Sequence, residues 1–198
     1  MTIWFLARAT GMVALMAFTA ATAMGALATR APAAPTDAQL DRRFLVQMAH
    51  RSAAVLGLVG LLAHATLIVV DAYVDVSLTS TLLPFTAGYR PLWLGLGTLS
   101  VYAFVLAAVS GAMRGRLAAS PRATRAWRRV HLSAYAGWAA AMCHGILSGT
   151  DTGAPWSTAI YVVCGLAVAV AVALRLGGRA GEQRRPFPAA RTSVRSPS

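Results

Sequence analysis

The sequence predicts an all-α integral membrane protein, a bundle of about five transmembrane helices, and three observations support this prediction. Of the 198 residues, 57% are hydrophobic and 12% are charged, about half the charged share of a soluble domain. Five apolar segments are each near the ~20 residues that cross the hydrocarbon core as a helix. The connections between them alternate between arginine-rich and arginine-poor. A soluble fold of this size could not bury so much apolar surface, whereas a bilayer accepts it.

The predicted elements follow from these segments in chain order. The first segment resembles a signal peptide, but apolar residues precede Arg8 and the apolar run is too long, which predicts a retained helix. Residues 30–38 contain prolines and are predicted to form a loop. Residues 179–198 are predicted to be a disordered, basic, cytoplasmic tail, leaving 1–178 as one transmembrane domain. The predicted helices cover residues 9–29, 46–70, 92–113, 130–148 and 157–176.

The formal charge of +12 arises from 18 arginines and no lysine, against six acidic residues. Such a charge is compatible with nucleic acid or with a membrane surface, and the positions of the arginines decide between them. They cluster in 30–45, in 114–129 and from residue 175 onward, whereas the opposite connections hold one arginine, Arg90, and a few aspartates. The positive-inside rule therefore predicts an outside N-terminus and a cytoplasmic C-terminus in the cell (plasma) membrane. Nucleic-acid binding is not expected.

The two cysteines, Cys143 and Cys164, lie in apolar segments without the C-x-x-C spacing of a redox or zinc site. They are interpreted as small buried hydrophobic residues rather than as redox groups.

The four histidines of the chain lie in two predicted helices, the second and the fourth. In the predicted topology these helices are parallel, with His50 and His131 near the cytoplasmic side and His64 and His144 deeper toward the outside. His50 and His64 are 14 residues apart, a rise of roughly 21 Å with both side chains within about 40° of one face. One pair of imidazoles at each of two depths is what axial ligation of two stacked b-type haems requires.

The second histidine helix is less regular. The 13 residues from His131 to His144 place the two side chains about 140° apart on an ideal helix. This predicts either a distortion, such as one near Gly137, or two haems approached from different angles. Gly57, midway between His50 and His64, is predicted to leave space for a macrocycle, and ordinary close helix packing is the alternative. Trp138 is predicted to lie between the haems, unless it is only a core aromatic residue.

Other interpretations of the histidines are weaker. One histidine in a membrane helix can simply bond across helices, but four at matched depths are harder to explain in this way. Zinc and copper need three or four ligands around one atom, and these pairs are too far apart to merge. Two histidines fill both axial positions of an iron, which favours electron transfer over oxygen binding.

Arginines near the histidines are candidate partners of haem propionates. Arg51, Arg128 and Arg129 flank the inner pair and are either propionate partners or positive-inside anchors, two roles that are compatible. Arg90 is the corresponding candidate at the outer pair.

Several stretches of the chain resemble the ferric reductase-like transmembrane domain superfamily, which includes ferric reductases, NADPH oxidases and the haem-binding subunit of methionine sulfoxide repair. The resemblance covers about residues 5–175 and is closest to compact bacterial members. It implies haem ligation by His50 with His131 and by His64 with His144, and it includes the unequal 14- and 13-residue spacings. The stretches that carry it are His50–Asp71, Pro84–Trp93, Trp127–His131 and His144–Thr152.

The resemblance implies an oxidoreductase component rather than a complete enzyme. No glycine-rich dinucleotide fingerprint is present, so a separate cytoplasmic flavoprotein or a membrane quinol is expected to supply electrons to an extracytoplasmic acceptor. One alternative is a non-catalytic haem-binding anchor subunit that feeds a separate extracytoplasmic reductase. Another is a haem-free metal-handling protein that uses Asp71, Asp75 and the histidines.

Overall fold

The computed structural model describes residues 2–28, 36–71, 76–117 and 120–183, with side chains as far as residue 177. Throughout these ranges the regular structure is helical and no strand is present, which confirms the all-α prediction. The helices are α1 (Thr2–Leu27), α2 (Asp37–Val70), α3 (Leu78–Leu82), α4 (Pro91–Ala112), α5 (Arg114–Leu117), α6 (Pro121–His131), α7 (Ser133–Ser148) and α8 (Pro155–Gln183).

Four of the described helices, α1, α2, α4 and the first 23 residues of α8, are long and apolar enough to cross a membrane. They indicate a multi-pass membrane protein. The remaining predicted span, 130–148, corresponds to α7, whose 16 residues extend about 24 Å, less than the ~30 Å of a hydrocarbon core. Five crossings therefore remain a prediction.

The helix starts differ most from the sequence prediction in the first half of the chain. α1 begins at Thr2 rather than at residue 9, so Arg8 lies within it. α2 begins at Asp37 rather than at residue 46, because Thr36 and Gln39 form a reciprocal capping box. The predicted loop 30–38 is therefore wrong at residues 37 and 38, and residues 30–35 lie outside the described ranges.

Two further differences from the sequence prediction lie in the second half of the chain. The arginine-rich connection 114–129 contains α6. The Ser120 hydroxyl caps the first turn of α6 by accepting a hydrogen bond from the Ala123 amide, and a proline stands at the start of the helix. α8 continues to Gln183, so residues 179–183 of the predicted disordered tail are helical. Residues 184–198 lie outside the described ranges.

The bundle consists of two antiparallel helix pairs, α1 with α2 and α4 with α7, and α8 packs on α1. The pairs meet at a central stack of Phe18 from α1 on Phe104 from α4, with ring centroids 3.7 Å apart and planes 4° from parallel. Within the first pair, small residues let α1 and α2 approach closely, since a Cβ atom at Gly60 would lie 3.3 Å from the Ala14 Cβ. The histidine helices α2 and α7 thus lie on opposite sides of the bundle interior and run parallel.

Candidate haem-binding site

The structure brings the four histidines together as two pairs, one from α2 and one from the α6–α7 segment in each. The ring centroids of His50 and His131 are 6.3 Å apart, and those of His64 and His144 are also 6.3 Å apart. An ion bound about 2 Å from two opposed imidazole nitrogens, each about 1.1 Å from its ring centroid, separates the centroids by about 6.2 Å. Both pairs therefore have the spacing of two axial ligands on one iron.

Each imidazole is fixed by a hydrogen bond from Nδ1 to a backbone carbonyl of the neighbouring helix. In the outer pair, His64 bonds to Ala7 at 2.7 Å and His144 bonds to Trp93 at 2.9 Å. A carbonyl oxygen can only accept, so Nδ1 carries the proton and Nε2 keeps the lone pair that a metal needs. Such a bond also orients the ring and increases the basicity of the ligand nitrogen.

The inner pair uses the same arrangement. His50 bonds through Nδ1 to the Ala21 carbonyl at 2.9 Å, and His131 bonds to the Ala107 carbonyl at 3.0 Å. All four histidines are therefore suited to ligation through Nε2. Because these carbonyls belong to α1 and α4, the ligand helices and the supporting helices alternate around the bundle.

The irregular second histidine helix is found, but not at Gly137. Helix α6 ends at His131 and α7 begins at Ser133, with Leu132 between them. The Tyr135 amide bonds to the Leu132 carbonyl three residues back, as in a tighter 3₁₀ turn that advances more degrees per residue. This break, directly beside His131, winds the segment more tightly and so reduces the 140° offset that a 13-residue spacing has on an ideal helix.

Trp127 and Ser110 complete the inner site, although neither was predicted to be a site residue. The Trp127 indole stacks on the His131 ring at 5.4 Å and donates Nε1–H to the Ser110 carbonyl at 2.8 Å. The Ser110 hydroxyl lies 3.2 Å from Nδ1 of His131 and donates to the Ala107 carbonyl. Trp127 lies four residues before His131, the spacing of neighbours on one helix face, and this was the available signal.

The outer site is enclosed by contacts between helix ends. The Arg90 guanidinium donates to the Leu147 carbonyl at 2.6 Å, three residues beyond His144. Arg8 of α1 forms an ion pair with Asp151 of the α7–α8 connection. Arg90 is therefore near the outer pair, as predicted, and it also ties the start of α4 to the end of α7.

Gly57 and Trp138 both contact the aromatic cluster that lies between the two histidine levels. A Cβ atom at Gly57 would lie 2.8 Å from the Phe18 ring, so the glycine makes room for that ring. The Trp138 indole donates to the Thr19 hydroxyl at 2.8 Å and packs at the edge of the cluster around Phe18 and Phe104. Gly57 is midway between His50 and His64, so the phenylalanine stack is the aromatic element between the two histidine levels. Trp138 is a core aromatic residue beside it.

The inner end of the bundle carries most of the arginine side chains that the structure describes. Ten lie at this end, two at the other, and of the latter Arg8 is paired with Asp151. Arg51, Arg128 and Arg129, predicted near the inner pair, have exposed side chains there. The ten are Arg42, Arg43, Arg51, Arg114, Arg116, Arg122, Arg125, Arg128, Arg129 and Arg175.

The remaining candidate groups are cysteines and acidic residues, of which the structure describes all but Asp75 and the acidic side chain at residue 182. Among the described residues, no three histidine, cysteine or acidic side chains lie close enough to hold one ion. Asp71 is buried at the end of α2, and Asp75 lies outside the described ranges. Cys164 is buried as predicted, whereas Cys143 is exposed, because an outward-facing membrane helix surface is apolar and accepts it.

Comparisons with protein-family models, with curated proteins and with solved structures gave no match to this chain. The site is therefore interpreted from its own geometry.

Proposed function

We propose that this protein is a transmembrane electron-transfer protein that holds two b-type haems, the inner one by His50 and His131 and the outer one by His64 and His144. The observation that carries the proposal is the repeated geometry of the two pairs. Both have centroids 6.3 Å apart, and each imidazole is held by a carbonyl at Nδ1. A histidine that only bonds across membrane helices would not need a second imidazole at this spacing or the same arrangement at a second level.

In this proposal the residues of the chain have three roles. The four Nε2 atoms would hold the two haem irons, two histidines to each, which favours electron transfer over oxygen binding. The Phe18–Phe104 stack keeps water out of the space between the two levels. When bound, each haem supplies a one-electron carrier, while the protein sets its orientation and electrostatic surroundings.

The orientation within the cell membrane follows from the arginines. Ten described arginine side chains at the end of the inner pair, against two at the other end, favour a cytoplasmic location for the inner pair. The N-terminus is then outside and α8 ends in the cytoplasm. Arg51, Arg128 and Arg129 are exposed near the inner pair, where they are available to a propionate, and Arg90 is available at the outer pair.

We infer electron transfer from a cytoplasmic flavoprotein or a membrane quinol, through the inner and then the outer level, to an extracytoplasmic acceptor. The resemblance to the ferric reductase-like transmembrane domain superfamily supports this direction. A haem-binding anchor subunit of a separate extracytoplasmic reductase uses the same two sites, and co-purification with such a reductase distinguishes it. A haem-free metal-handling role would use Asp71, Asp75 and the histidines, and it predicts metal uptake by protein without haem.

The test is the haem content and spectrum of the purified protein. A pyridine haemochrome assay is expected to give two b-type haems per chain, and each single His→Ala variant is expected to retain one. The ring planes are 59° apart in the inner pair and 77° apart in the outer pair, so both ferric signals are expected to be low-spin and strongly anisotropic. Wild-type protein without haem, or His50→Ala and His131→Ala variants with two haems, would disprove the proposal.

A further inference from the structure

The carbonyls that hold the histidines follow a pattern shared by two helices. On α1 the acceptors are Ala7 and Ala21, 14 residues apart, and on α4 they are Trp93 and Ala107, also 14 residues apart. In all four cases the residue four positions later is a glycine. These glycines are Gly11, Gly25, Gly97 and Gly111.

Helix geometry explains why the fourth residue matters. The carbonyl of residue i already accepts the amide of residue i+4, and its second lone pair can accept another donor. The Ala7 and Ala107 oxygens also accept the hydroxyls of Thr10 and Ser110, which share that side of the oxygen with the histidine. The side chain of residue i+4 tilts toward the N-terminus and covers the surface over that carbonyl. A histidine ring from another helix can reach the second lone pair only where this cover is missing.

The space available at each glycine agrees with this explanation. A Cβ atom at Gly11 would lie 2.8 Å from Nδ1 of His64, and one at Gly97 would lie 2.9 Å from Nδ1 of His144. At the inner level the clearance is larger. A Cβ atom at Gly25 would lie 3.4 Å from Cε1 of His50, and one at Gly111 would lie 3.3 Å from Cε1 of His131.

We propose that Gly11, Gly25, Gly97 and Gly111 are positioning residues, each of which opens a helix surface so that a histidine can bind the carbonyl four residues earlier. The inference rests on the proposed function, because the aligned Nε2 atoms matter only if they bind haem.

The pattern also shows that the two halves of the bundle repeat one arrangement. The α1–α2 pair and the α4–α7 pair each combine one helix with two glycine-carbonyl positions and one segment with two histidines. Each level uses two histidines and two carbonyls, one of each from each half. The glycines are therefore expected to act on one level at a time: Gly11 and Gly97 on the outer level, Gly25 and Gly111 on the inner level.

The experiment compares four single Gly→Ala variants of the full-length protein. Gly11→Ala and Gly97→Ala are expected to retain about one haem instead of two, with the inner spectrum unchanged, because their clash reaches the bonding nitrogen. Gly25→Ala and Gly111→Ala are expected to retain two haems, with only the midpoint potential and ferric signal of the inner haem shifted. Gly165→Ala is the matched control, since a Cβ atom at that helical position meets no atom within 4 Å.

A second variant protects the test against simple misfolding. If Gly11→Ala accumulates poorly, the Gly11→Ala/His64→Ala double variant is expected to accumulate like His64→Ala alone, because the ring that clashes is gone. Failure of this rescue would overturn the inference. So would four variants that keep two haems with wild-type spectra and potentials, or variants that disturb both levels equally. Wild-type protein without haem would instead disprove the proposed function, and the rescue could still be measured in the haem-free protein.

Discussion

The inner and outer histidine pairs have the same ring spacing but different surroundings. At the outer level, each Nδ1–H binds a carbonyl within 2.9 Å, and the glycine beneath it leaves no room for a methyl group. At the inner level, the bonds are 2.9 Å and 3.0 Å, the clearance is larger, and side chains also contribute. Trp127 and Ser110 contact His131, and the arginine cluster lies nearby.

This difference shows which part of each site is structural and which part is adjustable. The hydrogen bond from a histidine Nδ1 to a backbone carbonyl is repeated four times and aligns the ligands. The Trp127 ring that stacks on His131 has no counterpart among the described contacts of the outer pair, so changes there are expected to alter the inner level without dismantling it. Four predictions test this division.

The largest effect is expected at the element that the two levels share. Phe18→Ala removes one ring of the central stack and leaves a cavity, which is expected to cost about 3–5 kcal/mol of unfolding free energy. Denaturation of the purified protein in mixed micelles measures this cost, and both haem signals are expected to weaken together. Phe44→Ala is the control, because that ring is 65% exposed. Loss confined to one level would contradict the midway position of the stack.

The next largest effect is expected at Trp127. Trp127→Phe keeps a ring over His131 but removes the hydrogen bond to Ser110, a loss of about 1 kcal/mol. Trp127→Ala also removes the stacking, for about 0.5–1.5 kcal/mol more. Both variants are expected to change the inner haem signal alone, measured by redox-resolved spectra. Trp156→Phe, at a half-exposed position, is expected to be silent, and an altered outer signal in Trp127→Phe would refute the division.

A smaller effect is expected from the ion pair at the outer end. Arg8→Ala and Asp151→Ala each remove one partner of a contact near the membrane surface, which is expected to cost about 0.2–1 kcal/mol. The double variant is expected to cost less than the sum of the two, measured in a double-mutant cycle. Added salt is expected to reduce the coupling. Strictly additive costs would show that the two side chains do not interact.

The smallest effect is expected at Ser110, and only in the reduction potential. Its hydroxyl oxygen is a second acceptor for the Nδ1–H of His131, and an acceptor there makes the imidazole a better donor to ferric iron. Ser110→Ala is therefore expected to raise the inner potential by about 20–40 mV, equivalent to about 0.5–1 kcal/mol. Ser148→Ala is the outer counterpart, and its weaker 3.5 Å contact predicts a smaller shift. A fall in the inner potential would reverse this assignment of donor and acceptor.

The sequence predicted the class of fold, the apolar segments and the way the histidines pair. These features depend on segment length, helical periodicity and the distribution of charge, which obey the same rules in any bundle of membrane helices. It did not predict where α2 begins or that α6 is helical, although a capping box and a Ser-Pro start were present. Hydropathy ignores these short polar signals.

The failures at the site have a different physical origin. Gly57 was associated with a cofactor and contacts Phe18 instead, because a single helix pattern shows where space is needed but not which partner fills it. The acceptors Ala7, Ala21, Trp93 and Ala107 act through their backbones, so their side-chain identities carry no information about the role. Only the glycines four residues later leave a trace in the sequence.

The 14-residue interval also limits how the gene can change. Fourteen residues are close to four helical turns, so a helix that meets one level in the right direction meets the other in nearly the same direction. One inserted residue between the two levels would rotate everything beyond it by about 100° and shift it by about 1.5 Å. Insertions and deletions are therefore expected to be tolerated in the connections and rejected inside α1, α2 and α4, between the positions that the two levels use.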